Sequence, residues 1–400
     1  MRTTPNVLLI LSDMIGAKHF GCYGDPASVT PNVDRLARSG AQFGQAYCAC
    51  PPCIPARVSL MSGQYAHTHG KMAHVKMEVE PRPKLLPEIL TENGYRTAMV
   101  GKTHWWPPSD NLGCERADIT IDTHLTPELG RNDAWIRHLE ERGIFTYNPD
   151  TWKDDIKKIG DASKLPHDCV KVHWTGDRAR EIMRDYATGE KPFFLMCSFV
   201  EPHGWGCLTP ELWEKFADVP VPPPVGGDET EIDKPESQRN AVAAWKDFTG
   251  GPFGDVMKYR RGVYASLSLV DAEIGKLMEC LDELGIRDNT VILFTTDHGD
   301  LMYDHGCIEK GYLYDAAVRL PFLISGPGVH EGTERDHLVS QVDLLPTVLD
   351  FCGIDDGELK IEGRSVRPVI DDVAAPWRDT VYCEIHQKWL LKEQVQSSMV

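Results

Sequence analysis

The chain has 400 residues, 42% of them hydrophobic and 26% charged, with a formal net charge of −18 at pH 7. That length can bury a large core and admits two or three domains, and the composition is that of a globular protein in water. The charge argues against general nucleic-acid binding but leaves room for an anionic substrate, because a metal and a few cations reverse the field locally. No apolar run approaches the ~20 residues needed to span a bilayer, so no membrane partner is expected.

Val7 to Leu11 is an unbroken apolar run ending at Ser12-Asp13, which reads as a central parallel strand covered on both faces. It is too short for the apolar region of a signal peptide, and no small-residue cleavage site follows. A cytoplasmic location is therefore expected, provided Met1 is the natural start. The twelve cysteines show no repeating framework and are expected to be mainly reduced. Thr30-Pro31-Asn32 opens a short amphipathic helix closed by Gly40, and Ala41 to Tyr47 reads as a strand. Leu85 to Asn93 is predicted helical and Arg96 to Val100 a strand, running into Gly101-Lys102-Thr103-His104. Residues 105–170, rich in Trp, Asp and Pro and lacking a sustained period, are expected to form an irregular excursion shaping a substrate pocket.

A helix is predicted over Asp177 to Tyr186, then a buried strand over Pro192 to Val200 that ends at Glu201-Pro202-His203. Residues 217–256 are turn-rich, and Lys258 to Leu284 is a long helix. Val291 to Thr296 is the next strand, ending at Asp297-His298-Gly299. Pro321 to Ile324 is another, Leu338 to Cys352 reads as a helix, and Thr380 to Glu384 as a late strand. Strands alternating with helices predict an α/β fold, a mostly parallel sheet sandwiched by helices. Four apolar strands finish on polar chemistry: Asp13, Lys102 with His104, His203, and Asp297 with His298. One site along the sheet's carboxyl edge would require that clustering.

The most distinctive stretch is Cys48 to Gly63, CACPPCIPARVSLMSG. Cys48, Cys50 and Cys53 suggest a zinc knuckle, but no second ligand pair follows at the usual distance. A buried inert thiol is the other plain reading of Cys53. Pro51, Pro52 and Pro55 are expected to hold the segment extended until Ala56, with a helix starting over Arg57 to Met61. A nucleophile at a helix N-terminus sits in a positive field suited to an attacked anion.

Cys53-Ile54-Pro55-Ala56-Arg57, followed by Leu60, Ser62 and Gly63, resembles the signature of the type I sulfatases, in the alkaline phosphatase-like superfamily. The other motifs follow in that family's order, from Asn6 to about Phe351, where SQVDLLPTVLDFCGI is similar to a late family helix. The resemblance implies that a separate formylglycine-generating enzyme oxidises Cys53 to Cα-formylglycine, whose hydrate is the nucleophile. It implies one divalent metal held by Asp13, Asp297, His298 and the residue at Cys53, bridging nucleophile and sulfate. Calcium, manganese and magnesium all suit such ligands. Met14 stands where many members have a second Asp, and His298 where many have Asn; both changes favour manganese.

By the same resemblance Arg57 steadies the formylglycine oxygens and Lys102 contacts sulfate. Alternation along one strand extension would turn Lys102 and His104 to the same side. His104 would deprotonate the second diol hydroxyl, while His203 and Lys310 hold sulfate and protonate the leaving oxygen. His67 and His69 are read as structural, Cys22, Tyr23 and Gly24 as a non-catalytic loop, and His305 as a pocket residue. Trp105, Trp106, Trp174 and Trp205 could stack on a sugar or aryl ring or simply pack.

The expected activity is sulfate-ester hydrolysis, with a sulfated sugar as first substrate guess. Rivals are a phosphonate monoester or phosphodiester hydrolase on the same scaffold, and an unmodified homologue that binds sulfated ligands without turnover. Residues 1–375 are expected to form the catalytic domain, and 376–400 the start of a small C-terminal antiparallel subdomain that is short or truncated here.

Overall fold

In the computed structural model the first apolar run lies at the middle of a broad sheet. The structure describes residues 4–27, 29–72, 82–105, 111–120, 132–146, 148, 162–204, 207–226, 234, 236, 238–240, 242, 255–387 and 395–399. Strand β1 (Asn6–Ser12) is flanked by parallel neighbours β5 (Phe193–Ser198) and β6 (Thr290–Thr296). Beyond β5 lie β3 (Arg96–Lys102) and then β4 (Arg116–Thr120), both parallel. Beyond β6, β8 (Phe322–Ser325) runs antiparallel, followed by β2 (Ala41–Tyr47). The short β7 (Arg319–Leu320) and the longer β9 (Thr333–Ser340) both pair with β2. A separate antiparallel pair joins β10 (Cys383–Gln387) to β11 (Val395–Met399).

The unbroken apolar strands follow from burial on both faces. Along β1, Leu8 and Ile10 enter one core, while Val7, Leu9 and Leu11 enter the other. Helix α1 (Pro31–Arg38) lies on the first face. The second face receives α2 (Cys53–Ser62), then, past the single turn α3 (Ala66–His69), α4 (Leu86–Glu92). In the first core, α5 (Ala134–Glu141), α6 (Lys171–Ala187) and α7 (Val256–Glu283) bury Leu139, Ile182 and Ile274. Helix α8 (Leu344–Cys352) returns to the second with Leu345, Val348 and Leu349.

Several expectations need correcting. Helix α2 begins at Cys53, not Arg57, because the first N–H groups of a helix have no internal acceptor and Pro55 in that turn forfeits nothing. The stretch 105–170 is not simply irregular: its described part contributes β4 and α5. Helix α6 starts at Lys171, six residues before the predicted Asp177. The residues Leu338 to Ser340 end strand β9, and the helix starts at Leu344. The late strand begins at Cys383 instead of Thr380. Among the described residues no helix is long and apolar enough to cross a membrane.

Candidate active site

Two neighbouring parallel strands deliver their first post-strand residues to one buried point. Asp13 follows β1 and Asp297 follows β6, both fully buried. Gly299, two residues past Asp297, lets the chain pass close to a neighbour: a Cβ there would lie 1.9 Å from the Ala316 carbonyl oxygen. Gly101 does the same on β3, where a Cβ would stand 2.0 Å from the Ser198 carbonyl and φ is +91°. Close approach at these two glycines brings the strand ends together.

Cys53, the first residue of α2, faces this point. Its Sγ lies 3.0 Å from His298 Nε2. The other ring nitrogen, Nδ1, donates to the Gly299 carbonyl at 2.9 Å, which leaves Nε2 directed at the cluster. His298 Nε2 is also 3.5 Å from Asp13 Oδ1 and 3.7 Å from Asp297 Oδ1. Burial opposes a charge on this imidazole, but Asp297 and Cys53 lift its pKa to about 9.

Arg57 sits one helical turn after Cys53 and is buried. Its Nε donates to Asp297 Oδ2 at 2.8 Å and its Nη2 to Asp13 Oδ2 at 3.3 Å. Nη1 reaches the Lys102 carbonyl at 2.6 Å and Ser198 Oγ at 2.9 Å. The guanidinium thus fixes both carboxylates against the ends of β3 and β5. Lys102, the last residue of β3 and fully buried, makes an ion pair with Asp13 Oδ2. Burial alone would raise the Asp13 pKa, but Lys102 and Arg57 outweigh it and hold the carboxyl at about 2. Burial and the Asp13 charge push Asp297 upward. Its Oδ1 accepts the backbone N–H of Met14 at 3.2 Å and of His298 at 3.0 Å.

The opposite wall is cationic. Lys310 Nζ lies 3.3 Å from His203 Nε2 and 3.7 Å from Met14 Sδ. An ammonium group only donates, so His203 accepts through Nε2 and carries its own proton on Nδ1. Burial works against the Lys310 charge, but the negative potential of Cys53, Glu309 and Asp13 raises its pKa nonetheless. Strand β3 ends at Lys102, and His104 is half-buried with a left-handed φ of +53°. Strand alternation therefore does not describe the relation of those two residues.

The donor set suits a divalent cation. Asp13 Oδ1 is buried without a hydrogen-bond partner, an expensive state for a carboxylate oxygen. One ligand atom from each of Asp13, Cys53, Asp297 and His298 lies within 4.8 Å of all the others. Carboxylate oxygens and one imidazole fit calcium, magnesium or manganese. Cys48 and Cys50 belong to neither metal-capable group found among the described residues, and Cys48 Sγ points instead to the Asp297 carbonyl at 3.1 Å. That disposes of the zinc knuckle.

The remaining candidates lie elsewhere. His69 is buried against Ser59 Oγ at 3.0 Å, and His67 Nδ1 pairs with Glu384 at 2.9 Å. Tyr23 ties β2 to β8, donating to the Phe43 carbonyl at 3.0 Å and accepting from Phe322 N–H at 2.9 Å. His305 stacks on Tyr314 with ring centroids 3.9 Å apart. Trp105 and Trp174 are core residues, whereas Trp106 and Trp205 fall outside the described residues. Two supporting groups escaped the reading of the sequence, Ser198 and Gln341. Gln341 Nε2 donates to the Asp297 carbonyl at 2.9 Å. A polar residue at a strand end was the available signal for Ser198; nothing local marks Gln341.

Residues 5–354 match the family model described as Sulfatase. An arylsulfatase of Clostridium perfringens is 26% identical over 395 residues, covering 95% of this chain and 81% of that protein. A choline-sulfatase of Rhizobium meliloti is 27% identical, covering 92% and 72%. A structure solved in complex with its substrate D-glucosamine-2-N,6-O-disulfate superimposes with a TM-score of 0.76 at 20% identity, covering 96% of this chain and 84% of that one. A phosphonate monoester hydrolase from Silicibacter pomeroyi gives the same TM-score at 22% identity, covering 96% and 80%. These structural likenesses establish the α/β fold.

Proposed function

The chain belongs to the sulfatase family and is a sulfuric ester hydrolase, and from that premise we propose that its nucleophile is a formylglycine made from Cys53. The observation that carries this reading is the position of Cys53 Sγ. It stands at the mouth of α2 among the ligand atoms of Asp13, Asp297 and His298, with Lys102 paired to Asp13 and Lys310 within reach of its charge. Family members generally use formylglycine and a metal ion. When bound, a divalent ion held by Asp13, Asp297 and His298 would neutralise sulfate charge and acidify the nucleophile.

The rest of the work falls to the chain's own groups. Arg57 locks both carboxylates through their Oδ2 atoms, which leaves Asp13 Oδ1 available to the position a metal would take. Lys102 and Lys310 place fixed positive charge beside a sulfate ester monoanion and the charge that builds on it, without reorganisation during the reaction. Lys310 and His203 share a hydrogen bond at 3.3 Å. That pair delivers a proton to the departing alcohol oxygen, through the imidazole or the ammonium. His104 takes the proton whose removal releases sulfate. Cys53 is only 1% exposed. A second enzyme cannot reach that thiol in the folded chain, so oxidation precedes folding.

The substrate class we propose is a sulfated sugar or other small sulfate ester. In support, a related N-acetylglucosamine-6-O-sulfatase of Bacteroides thetaiotaomicron is 24% identical. Phosphonate monoester hydrolysis is the second reading, favoured by Met14, since a non-acidic residue after the first Asp resembles such hydrolases, and by the equal fold likeness to one of them. Rates on matched aryl sulfate and aryl phosphonate esters, with and without chelator, test both. Metal-dependent preference for the sulfate supports the first reading; preference for the phosphonate replaces it with the second.

A further inference from the structure

A second group of metal-ligating side chains lies among the described residues, at the sheet edge where α5 packs against β4. Helix α5 contributes His138. The single turn His167–Cys169, just before α6, contributes Asp168 and Cys169. Cys169 Sγ is 3.7 Å from His138 Nε2 and 3.9 Å from Asp168 Oδ1, and the ligand atoms all lie within 4.8 Å of one another. Two ligands of a tetrahedral zinc ion, bound at about 2.0–2.3 Å, stand roughly 3.5 Å apart, so little movement is needed.

The site is also built from both sides. Trp135 Nε1 donates to the Cys169 carbonyl at 2.8 Å, fixing the turn against α5. Cys169 is fully buried while Asp168 is 45% exposed, so a cation would sit at the protein's rim. His138 and Asp168 line a groove of about 340 Å³ shared with Glu141, Asp177, Arg178 and Glu181. Arg142 Nη2 lies 3.0 Å from Asp168 Oδ2, so a positive group already answers that carboxylate.

We propose that His138, Asp168 and Cys169 form a second metal site that takes zinc or a similar borderline-soft divalent ion. Its fourth position opens on the groove, and the ion clamps α5 to the start of α6. Thiolate and imidazole select such an ion over calcium or magnesium, in contrast to the oxygen-rich strand-end cluster. Binding replaces the Cys169 S–H bond with a sulfur–metal bond and releases that proton to solvent. Arg142 gives up Asp168 and turns to water. None of this depends on the catalytic reading.

Cobalt(II) is the probe, added to full-length Cys53→Ala protein so that no thiolate remains at the strand-end cluster. The proposal predicts one equivalent with a thiolate charge-transfer band and tetrahedral visible absorption, together with a raised melting temperature. His138→Ala and Cys169→Ser should each abolish the band. Each should weaken binding by more than about tenfold, the lower bound seen when only the outer partners of a metal ligand are lost. A Cys53→Ala protein that shows no charge-transfer band overturns the proposal. So does a band that survives in His138→Ala, the variant at a half-buried position that decides the matter should Cys169→Ser fail to fold.

Discussion

Two of the buried ion clusters among the described residues have similar make-up and opposite finish. In one, Glu273 of α7 accepts from His173 Nδ1, Arg180 Nη1 and Lys276 Nζ, each at 2.7 Å. Burial alone would raise that carboxyl, but these bonds pull its pKa down to about 2. In the other, at the strand ends, two carboxylates crowd together, Asp297 is pushed up, and Asp13 keeps an oxygen with no hydrogen-bond partner. The first cluster is saturated and serves packing between α6 and α7. The second is left unfinished, as a site must be if it is to hold a cation and an anionic substrate.

Substitutions should separate the two clusters. Cys53→Ala is expected to lower kcat/KM for an aryl sulfate by at least about 1,000-fold, as loss of a nucleophile does, while shifting stability by no more than about 1 kcal/mol. His203→Gln should cost about 100- to 10,000-fold with an alkyl sulfate, the range for a general acid, and less with a good aryl leaving group. Glu273→Gln should do the reverse: activity per folded molecule is kept, while denaturant unfolding shows a loss of about 3–5 kcal/mol. Asp297→Asn removes a charge that burial already disfavours. It is expected to cost less stability than Glu273→Gln while abolishing metal binding by calorimetry.

The smallest effect is a pH slope. Glu273 has its folded pKa below the ordinary 4.5, so its contribution is full above pH 4.5 and is lost as pH falls toward about 2. That shift corresponds to roughly 3 kcal/mol. Unfolding free energies measured through this window should fall less steeply for Glu273→Gln than for the parent. Parallel slopes would mean that Glu273 is not the saturated group described here.

Legibility in the sequence followed burial. Strands β1, β5 and β6 are covered on both faces and show as unbroken apolar runs, and the polar residues just past them mark the site's edge. Strand β9, TERDHLVS, alternates half-buried and exposed positions, so in the sequence its end reads as the start of the following helix. Strand β4, RADIT, is short and charged on the sheet's edge, where an apolar signal is weak. The Cys53 motif was visible in the chain. The helix start at Cys53 itself was not, because proline signals both a stop and a permissible first turn. Gln341 acts on a backbone carbonyl 44 residues away in the chain, a relation that only the fold creates.

The most direct test of the central claim is mass spectrometry of the tryptic peptide Ser39–Arg57 from active, metal-loaded protein made in its native host. That peptide also carries Cys48 and Cys50, which serve as internal unmodified thiols. The account predicts an aldehyde at Cys53 and intact thiols at the other two. Full sulfate-ester turnover by protein whose Cys53 is entirely a thiol would contradict it.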